Sequence, residues 1–384
     1  LFQPLLYQVA SGGLSESEIA QPLRHILERQ TNLTILMDEV ASINTDVRKV
    51  ELRETPELEY DYLVVALGLR TGYFGNNDWE QYAPGLKCLD EATEIRRRIL
   101  DAFEKAEKAM QADGSSVEIE FVVVGGGPTG VELAGSIAEL SRHVLKREFK
   151  HIDTAKAKVH LIEAGPRLLP VFNPKHSDYT LRALESMGVT VHLNAPVSEV
   201  GENYVVFGGE RIETNLTFWA AGLEAGNAPR TIAGAERDRA GRIAVENDFT
   251  LPGDSRVYIV GDLASMTDVK GVRVPGVAPA AMQSGKHAAK QIINDLAGRP
   301  REPFKYLDKG SMATIGRTRA VVEFKNILIN GFFAWGMWLA VHLLFLVGLR
   351  NRITILHQWV WAYFTWNLGA RIMTQKRYSQ TVVK

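Results

Sequence analysis

The chain has 384 residues, 46% of them hydrophobic and 23% charged, with a formal net charge of −1. That length suits about two to three domains, and so neutral a balance gives no electrostatic ground for a nucleic-acid partner. The one cysteine, Cys88, cannot form an internal disulfide, a paired redox dithiol or a structural zinc site, which suits a reducing, cytosol-facing compartment.

The chain starts at Leu1 inside an apolar segment, LFQPLLYQVA, with no signal-peptide pattern, so the start reads as truncated. Ser15 and Glu18 form a capping-box pattern that predicts a helix through Gln30. From 33 to 67 the texture is β: LTILMDEVASI, KVELRE and YDYLVVALG alternate or run apolar between polar turns. LDEATEIRRRILDAFEKAEKAM, residues 89–110, has helical period, and ADGSS, 112–116, reads as a linker. Residues 117–200 form a βαβ pattern: VEIEFVVV, a glycine turn, a helix to about Arg147, and KVHLIEA. A helix at 177–187 and the strand VTVHLN follow. Residues 204–222 return to β, ending in TFWAAG. RVYIVGDLA, 256–264, is a buried strand, 277–297 a helix, and 304–324 hairpin material.

Gly125, Gly127 and Gly130 give G-x-G-x-x-G, with Pro128 and Thr129 between the last two. The first glycine permits the tight turn, the second lets backbone approach a pyrophosphate, and the third lets the helix close on the strand. The helix N-terminus then offers free N–H groups and a positive dipole end. The pattern alone is weak, but here it follows a strand, opens a helix and is closed by a second strand. That second strand ends in Glu163, further along than the roughly 20 residues of the usual pattern. A carboxylate there accepts hydrogen bonds from both ribose hydroxyls and repels a 2′-phosphate, which favours NADH over NADPH. Glu132 has two readings: a group near the nicotinamide carboxamide, or a first-turn acid that complements the helix dipole.

Two apolar strands bracket this unit and stop at small residues: one at Ala66-Leu67-Gly68, the other at Ala220-Ala221-Gly222. A third ends in Gly261-Asp262, a carboxylate placed for a ribityl or ribose hydroxyl. Each alone is more often plain core strand. Taken together with GGGPTGVELAG, with LFQPLLYQVASGGLSESEIAQPLR, with APAAMQSGKHAA and with FKYLDKGSMATIGR before an aromatic tail, they resemble the bacterial type II NADH:quinone oxidoreductases. The resemblance runs over essentially the whole chain.

The resemblance implies an α/β fold with two Rossmann-like dinucleotide-binding domains, the FAD domain split by an inserted NADH domain. Its first FAD βαβ unit is absent from this sequence, and C-terminal amphipathic membrane-attachment helices complete it. The implied division is 1–115 for the first part of the FAD domain, 116–223 for NADH, 224–325 for the second FAD part and 326–384 for the tail. The implied chemistry is hydride transfer from NADH to FAD and then two electrons to a quinone, without proton pumping. NADH falls to Gly125, Gly127, Pro128, Thr129, Gly130, Glu132, Glu163, Ala221 and Gly222. FAD falls to Val40, Ala66, Gly68, Gly261, Asp262, Ala278 and Lys309. Lys309 resembles the family's lysine near the flavin, with Glu132 the other candidate catalytic group; an exposed hairpin lysine is the bland alternative. The quinone lining expected is Gln3, Pro4, Leu5, Met282 and Gln283, although Pro279 stands where many relatives carry Gln. No metal is expected. Two other readings stay open: a soluble ferredoxin- or rubredoxin-type reductase, and a redox scaffold resembling apoptosis-inducing flavoproteins.

From Asn326 to Leu349 the chain carries no formal charge and includes Phe332, Phe333, Trp335, Trp338 and Phe345. Arg350 and Arg352 interrupt. Ile353 to Ala370 is again uncharged but wetter, with His357, Gln358 and Trp359, Trp361 and Trp366. The length permits a transmembrane span, yet the glycines, His342 and the tryptophans favour an interfacial helix pair lying on the lipid surface. A buried dimer helix is the alternative for the tail, and a homodimer is expected as well as the lipid surface. The expected location is peripheral, on the cytoplasmic face of the inner membrane.

Overall fold

In the computed structural model, which describes residues 1–373, the apolar run Glu120–Val124 is the pivot of a four-stranded parallel sheet. Across the sheet stand Val189–His192, Lys158–Ile162, Glu120–Val124 and Thr217–Trp219. Val124 pairs with Ile162 on one side and Trp219 on the other. Strands buried on both faces read as unbroken apolar runs, and Phe121, Val122 and Val123 are fully buried. A first strand flanked by the second and the last is the order of a mononucleotide-binding half. The meander Val197–Val200, Tyr204–Phe207 and Glu210–Glu213 is inserted before the last strand.

The chain divides into two compact units: Leu1–Glu28, Tyr73–Gly222 and the residues from Gly310 on, and Arg29–Gly72 with Leu223–Lys309. In the first, the helix Leu89–Asp113 buries Ala92, Ile95, Ile99, Phe103 and Ala106 at the spacing of one helical face. Glu91 accepts from the Cys88 N–H at 3.0 Å, and Gly114, at φ +76°, ends the helix in the left-handed cap that favours glycine. The helix Pro128–Glu139 continues as a π-turn, Leu140–Val144, and a 3₁₀ turn, Leu145–Arg147. The distance to Glu163 comes from these turns and the loop after them.

Several elements differ from the sequence expectation. The capping box forms, with Glu18 accepting from the Ser15 N–H at 2.6 Å, but the helix covers only Glu16–Ile19. Pro22 forbids continuation, since the residues before a proline are pushed to extended backbone, and Leu23–Ile26 is a separate turn. In the 33–44 run only Val40–Asn44 pairs as a strand. The linker begins at Gly114, because the preceding helix runs on to Asp113. Residues 304–310 have no regular structure, and the hairpin is Ser311–Gly316 with Arg319–Phe324. The first residues of the uncharged tail add a third strand, Ile327–Asn330, to that hairpin.

The rest of the tail is two helices, Phe332–Phe345 and Leu349–Thr365, separated at Gly348. Their inner faces belong to the core of the first unit: Ala334, Trp338 and Ile355 are fully buried. Asn351 donates to the Glu18 carbonyl at 2.9 Å and the Trp359 indole N–H to Gln8 Oε1 at 2.8 Å. No helix among the described residues is long and apolar enough to cross a membrane.

In the second unit, Leu63–Val65 runs parallel to Asp254–Ile259, with Val65 opposite Ile259. Thr250–Leu251 completes that sheet, and the helix Ala278–Leu296 follows from its end. Val40 opens a separate antiparallel sheet and packs on the small apolar core around Ile43, Ile243 and Ile259.

Candidate active site

The glycine turn is built from contacts that only glycine permits. Gly125 has φ +113°, and a Cβ there would lie 2.7 Å from the Ala220 carbonyl. The turn therefore backs directly onto the backbone before Ala221 and Gly222, itself at φ +75°. A Cβ on Gly130 would lie 1.8 Å from the Gly125 carbonyl oxygen, so the third glycine closes the helix on its own turn. Gly127 is different: nothing lies within 4 Å of the position its Cβ would take. It is the N-cap of Pro128–Glu139, where the first helical N–H groups have no intrahelical acceptor. A proline at the first helical position removes a donor that would have gone unused, and Thr129 follows it. Open space above a bare helix N-terminus is what a pyrophosphate needs.

Glu163 is placed at this turn. Its Oε2 accepts from the Gly126 N–H at 2.6 Å and its Oε1 from the Gly165 N–H at 2.7 Å. Its own N–H donates to the His192 carbonyl at 2.8 Å. Both oxygens keep lone pairs beyond these bonds, so the carboxylate is fixed in direction and still able to accept from a ribose.

Glu132 does not lie in the first turn of its helix. It faces a cavity of about 430 Å³ inside the first unit, lined also by Tyr7, Gln8, Glu139, Arg317 and Trp338. Burial pushes its carboxyl up to about 8, opposed by the Thr314 N–H, which donates to Oε1 at 3.3 Å. A dipole-complementing acid would be shifted the other way, so that reading is excluded. Glu139, two turns along the same helix, is pushed up to about 7 by burial and accepts from the Arg317 N–H at 2.5 Å. The Tyr7 hydroxyl is held well above its ordinary range, by burial first and by Glu132 second, and accepts from Gln8 at 2.8 Å. Glu139, Tyr7 and Arg317 escaped sequence reasoning. The only hint was that Glu132 and Glu139 share one helical face.

In the second unit the tips of two paired strands lie side by side. Ala66 is exposed, and Gly68, at φ +64°, has nothing within 4 Å of its Cβ position. Gly261, at φ +70°, donates its N–H to Ser284 Oγ at 3.0 Å. Asp262 stands near the approach to the helix that begins at Ala278, its carboxyl carbon 3.8 Å from the Cβ position of Gly276. Small residues, open space and a carboxylate at the carboxyl ends of parallel strands fit a dinucleotide, and these groups fit FAD. Lys309 is exposed in the coil after Phe304.

The expected quinone residues fall in both units. Gln3 is exposed and donates to the Lys87 carbonyl at 3.2 Å, and Pro4 is half-buried. Leu5 is fully buried, so its side chain is core. Met282 is exposed. Gln283 is committed to the backbone of Leu307: Nε2 donates to its carbonyl at 3.0 Å and Oε1 accepts from its N–H at 3.0 Å. That pair fixes the coil two residues before Lys309.

Comparison with known proteins follows the same lines. Residues 1–285 match the family of pyridine nucleotide-disulphide oxidoreductases, and residues 309–365 match the NDH2 C-terminal domain. The chain is 42% identical to the type II NADH:quinone oxidoreductase Ndh of Mycobacterium tuberculosis, over 99% of this chain and 84% of that protein. It is 44% identical to NdhA of the same organism, over 94% of this chain and 79% of the relative. Its fold matches that of NDH2 from Plasmodium falciparum, solved in complex with NADH, with a TM-score of 0.86 and 20% identity, over 97% of this chain and 92% of that one.

Proposed function

Because this chain belongs to the family of type II NADH:quinone oxidoreductases, we propose that its glycine turn and Glu163 are the NADH-oxidising half of such an enzyme and that Glu132 serves the quinone-reducing half. The protein is an FAD-dependent NADH dehydrogenase that passes electrons to a quinone. The flavin, when bound, supplies the acceptor for the hydride and the route to the quinone.

The chain's own residues divide the remaining work. Gly127 and the N–H groups after Pro128 hold the pyrophosphate. Glu163 orients the adenosine ribose, and Ala221 and Gly222 give backbone surface at the strand end. Ala66, Gly68, Gly261, Asp262, Ala278 and Val40 form the flavin-side set, with Lys309 a cation near the ring. Glu132, protonated at neutral pH by its burial, is a proton donor at the wall of an aromatic cavity, and that cavity receives the quinone ring with Tyr7 and Trp338 as its walls. The functional division proposed is 1–115 and 224–325 for FAD, 116–223 for NADH and 326–384 for attachment, and it cuts across the two compact units.

The tail lies on the cytoplasmic surface of the inner membrane. Phe333, Leu344, Leu349 and Phe364 are exposed on its outer face, and Arg350 and Arg352 stand at the helix junction to meet headgroups. A homodimer through the same outer face is the second arrangement such a surface allows.

One observation carries the NADH assignment: a carboxylate at the tip of the second strand, held by two backbone N–H groups of the glycine turn and its neighbour. Glu163→Gln removes the charge and keeps the size. The expected result is a rise in KM for NADH of about tenfold, the worth of one charge-assisted hydrogen bond, with a smaller penalty against NADPH. An unaltered NADH-to-NADPH preference in steady-state kinetics would overturn the assignment.

A further inference from the structure

Behind the aromatic cavity lies a second one, of about 590 Å³, whose walls are basic. Arg142 reaches it from the π-turn after the glycine-loop helix, and Arg317 and Arg319 from the tight turn of the hairpin. Among the described residues none of these three guanidinium groups is in an ion pair, and the Nη1 atoms of Arg142 and Arg317 are buried without a hydrogen-bond acceptor.

The arginines are held in place by neutral partners. Arg142 donates through Nη2 to the Gly188 carbonyl at 3.0 Å, and a Cβ on Gly188 would lie 2.4 Å from that nitrogen, so the glycine makes room for the guanidinium. Arg319 donates to the Ala183 carbonyl at 3.1 Å and to Ser186 Oγ at 2.6 Å. Arg317 lies between the rings of Tyr363 and Trp366, 4.3 and 4.2 Å from their centres. His143 stacks on Trp366 at 4.4 Å. Two acids line the same space: Glu185, which is exposed, and Glu139, whose carboxyl is pushed up to about 7 by burial against the opposing pull of Arg317 and Arg319.

We propose that this pocket binds a phosphate group, gripped by Arg142, Arg317 and Arg319 beside the indole of Trp366. The preferred source is an anionic phospholipid headgroup, because Trp366 caps the tail helix whose outer face is the proposed lipid contact. In that respect the assignment rests on the attachment reading above. Arginine forks match phosphate oxygens in pairs, and an indole at the apolar–polar boundary suits the region where a headgroup meets its chains. The pocket thus converts general adhesion of the tail into recognition of a charged lipid.

The test uses the flavin-loaded full chain. Co-sedimentation is measured with vesicles of phosphatidylcholine alone and with one-fifth phosphatidic acid. A parallel arm titrates inorganic phosphate and pyrophosphate against tryptophan fluorescence. Arg319→Gln removes one fork, and Ser186→Asp leaves all three arginines but places a competing carboxylate on Arg319. Arg256→Gln, an exposed arginine of the second unit, removes the same charge elsewhere.

The expected result is that native protein and Arg256→Gln bind the acidic vesicles about tenfold more tightly than the neutral ones. Arg319→Gln and Ser186→Asp should lose most of that increment yet keep their binding to neutral vesicles. Saturable quenching by soluble phosphate, lost in both pocket variants but with no vesicle increment, sinks the lipid source and assigns the pocket to soluble phosphate. Binding to neither vesicle defeats the attachment reading and the lipid source, and leaves the soluble arm to decide the pocket. An increment equal in native and pocket variants, or no phosphate response in either arm, overturns the proposal.

Discussion

A carboxyl pushed up to about 8 leaves a mark on stability as well as chemistry. Glu132 has a folded value above its ordinary 4.5, so the native state binds a proton that the unfolded chain releases. Its contribution is fully present below about 4.5 and is lost as pH rises through 8. Glu139, raised to about 7, acts in the same sense. The urea midpoint should therefore fall between pH 5 and 9, and Glu132→Gln should flatten that fall. Parallel slopes in native protein and variant would show that the carboxyl is not held neutral. At this scale the sequence was unevenly legible. Glu163 could be read because the tip of the second strand is a fixed place in a βαβ unit. Glu132 could be named but not given its surroundings. Its pKa depends first on burial and then on the Thr314 N–H, far away in sequence, and Arg317 was invisible for the same reason.

Helices and strands were legible where their period was strong and local. The helix Leu89–Asp113 and the parallel strands around Phe121 lie where their patterns put them. Early strands were overcalled at 33–39, where apolar residues find no partner strand, and the first helix was overextended across Pro22. Packing between elements was harder to foresee. Gly135, five positions before the helix gives way to the π-turn, is no part of the nucleotide motif. Yet a Cβ there would lie 1.8 Å from the carbonyl oxygen of Ile315. It lets the glycine-loop helix close against the strand Ser311–Gly316 and so brings Glu132 within reach of Thr314. Gly135→Ala should destabilise by about 1–3 kcal/mol, as overpacking does, and lower the melting temperature. Gly127→Ala meets open space, so it should melt as the native protein does while weakening NADH. A reversed pattern, with Gly127→Ala the less stable of the two, would contradict both placements.

For the whole molecule, the proposed attachment of the tail is what would decide where catalysis takes place. The first of its helices, Phe332–Phe345, is apolar on nearly every side, which is the mark of burial on both faces, while the second, Leu349–Thr365, mixes apolar residues with Arg350, Arg352 and Gln358. One face is accounted for by the core around Trp338 and Ile355. Phe333 is 78% exposed and Phe364 77%, more than a monomer in water usually leaves in one patch. Both helices are too short to span a bilayer, so a surface position satisfies the apolar face without burying Arg350 or Arg352. Phe333→Ser with Phe364→Ser removes outward aromatic area and leaves the inner face intact. Such a protein should keep its NADH oxidation with a water-soluble quinone analogue, yet lose vesicle co-sedimentation and turnover of a long-chain quinone held in the bilayer. If the exposed face instead joined two copies, the variant would shift from dimer to monomer in sedimentation velocity while its lipid binding stayed the same.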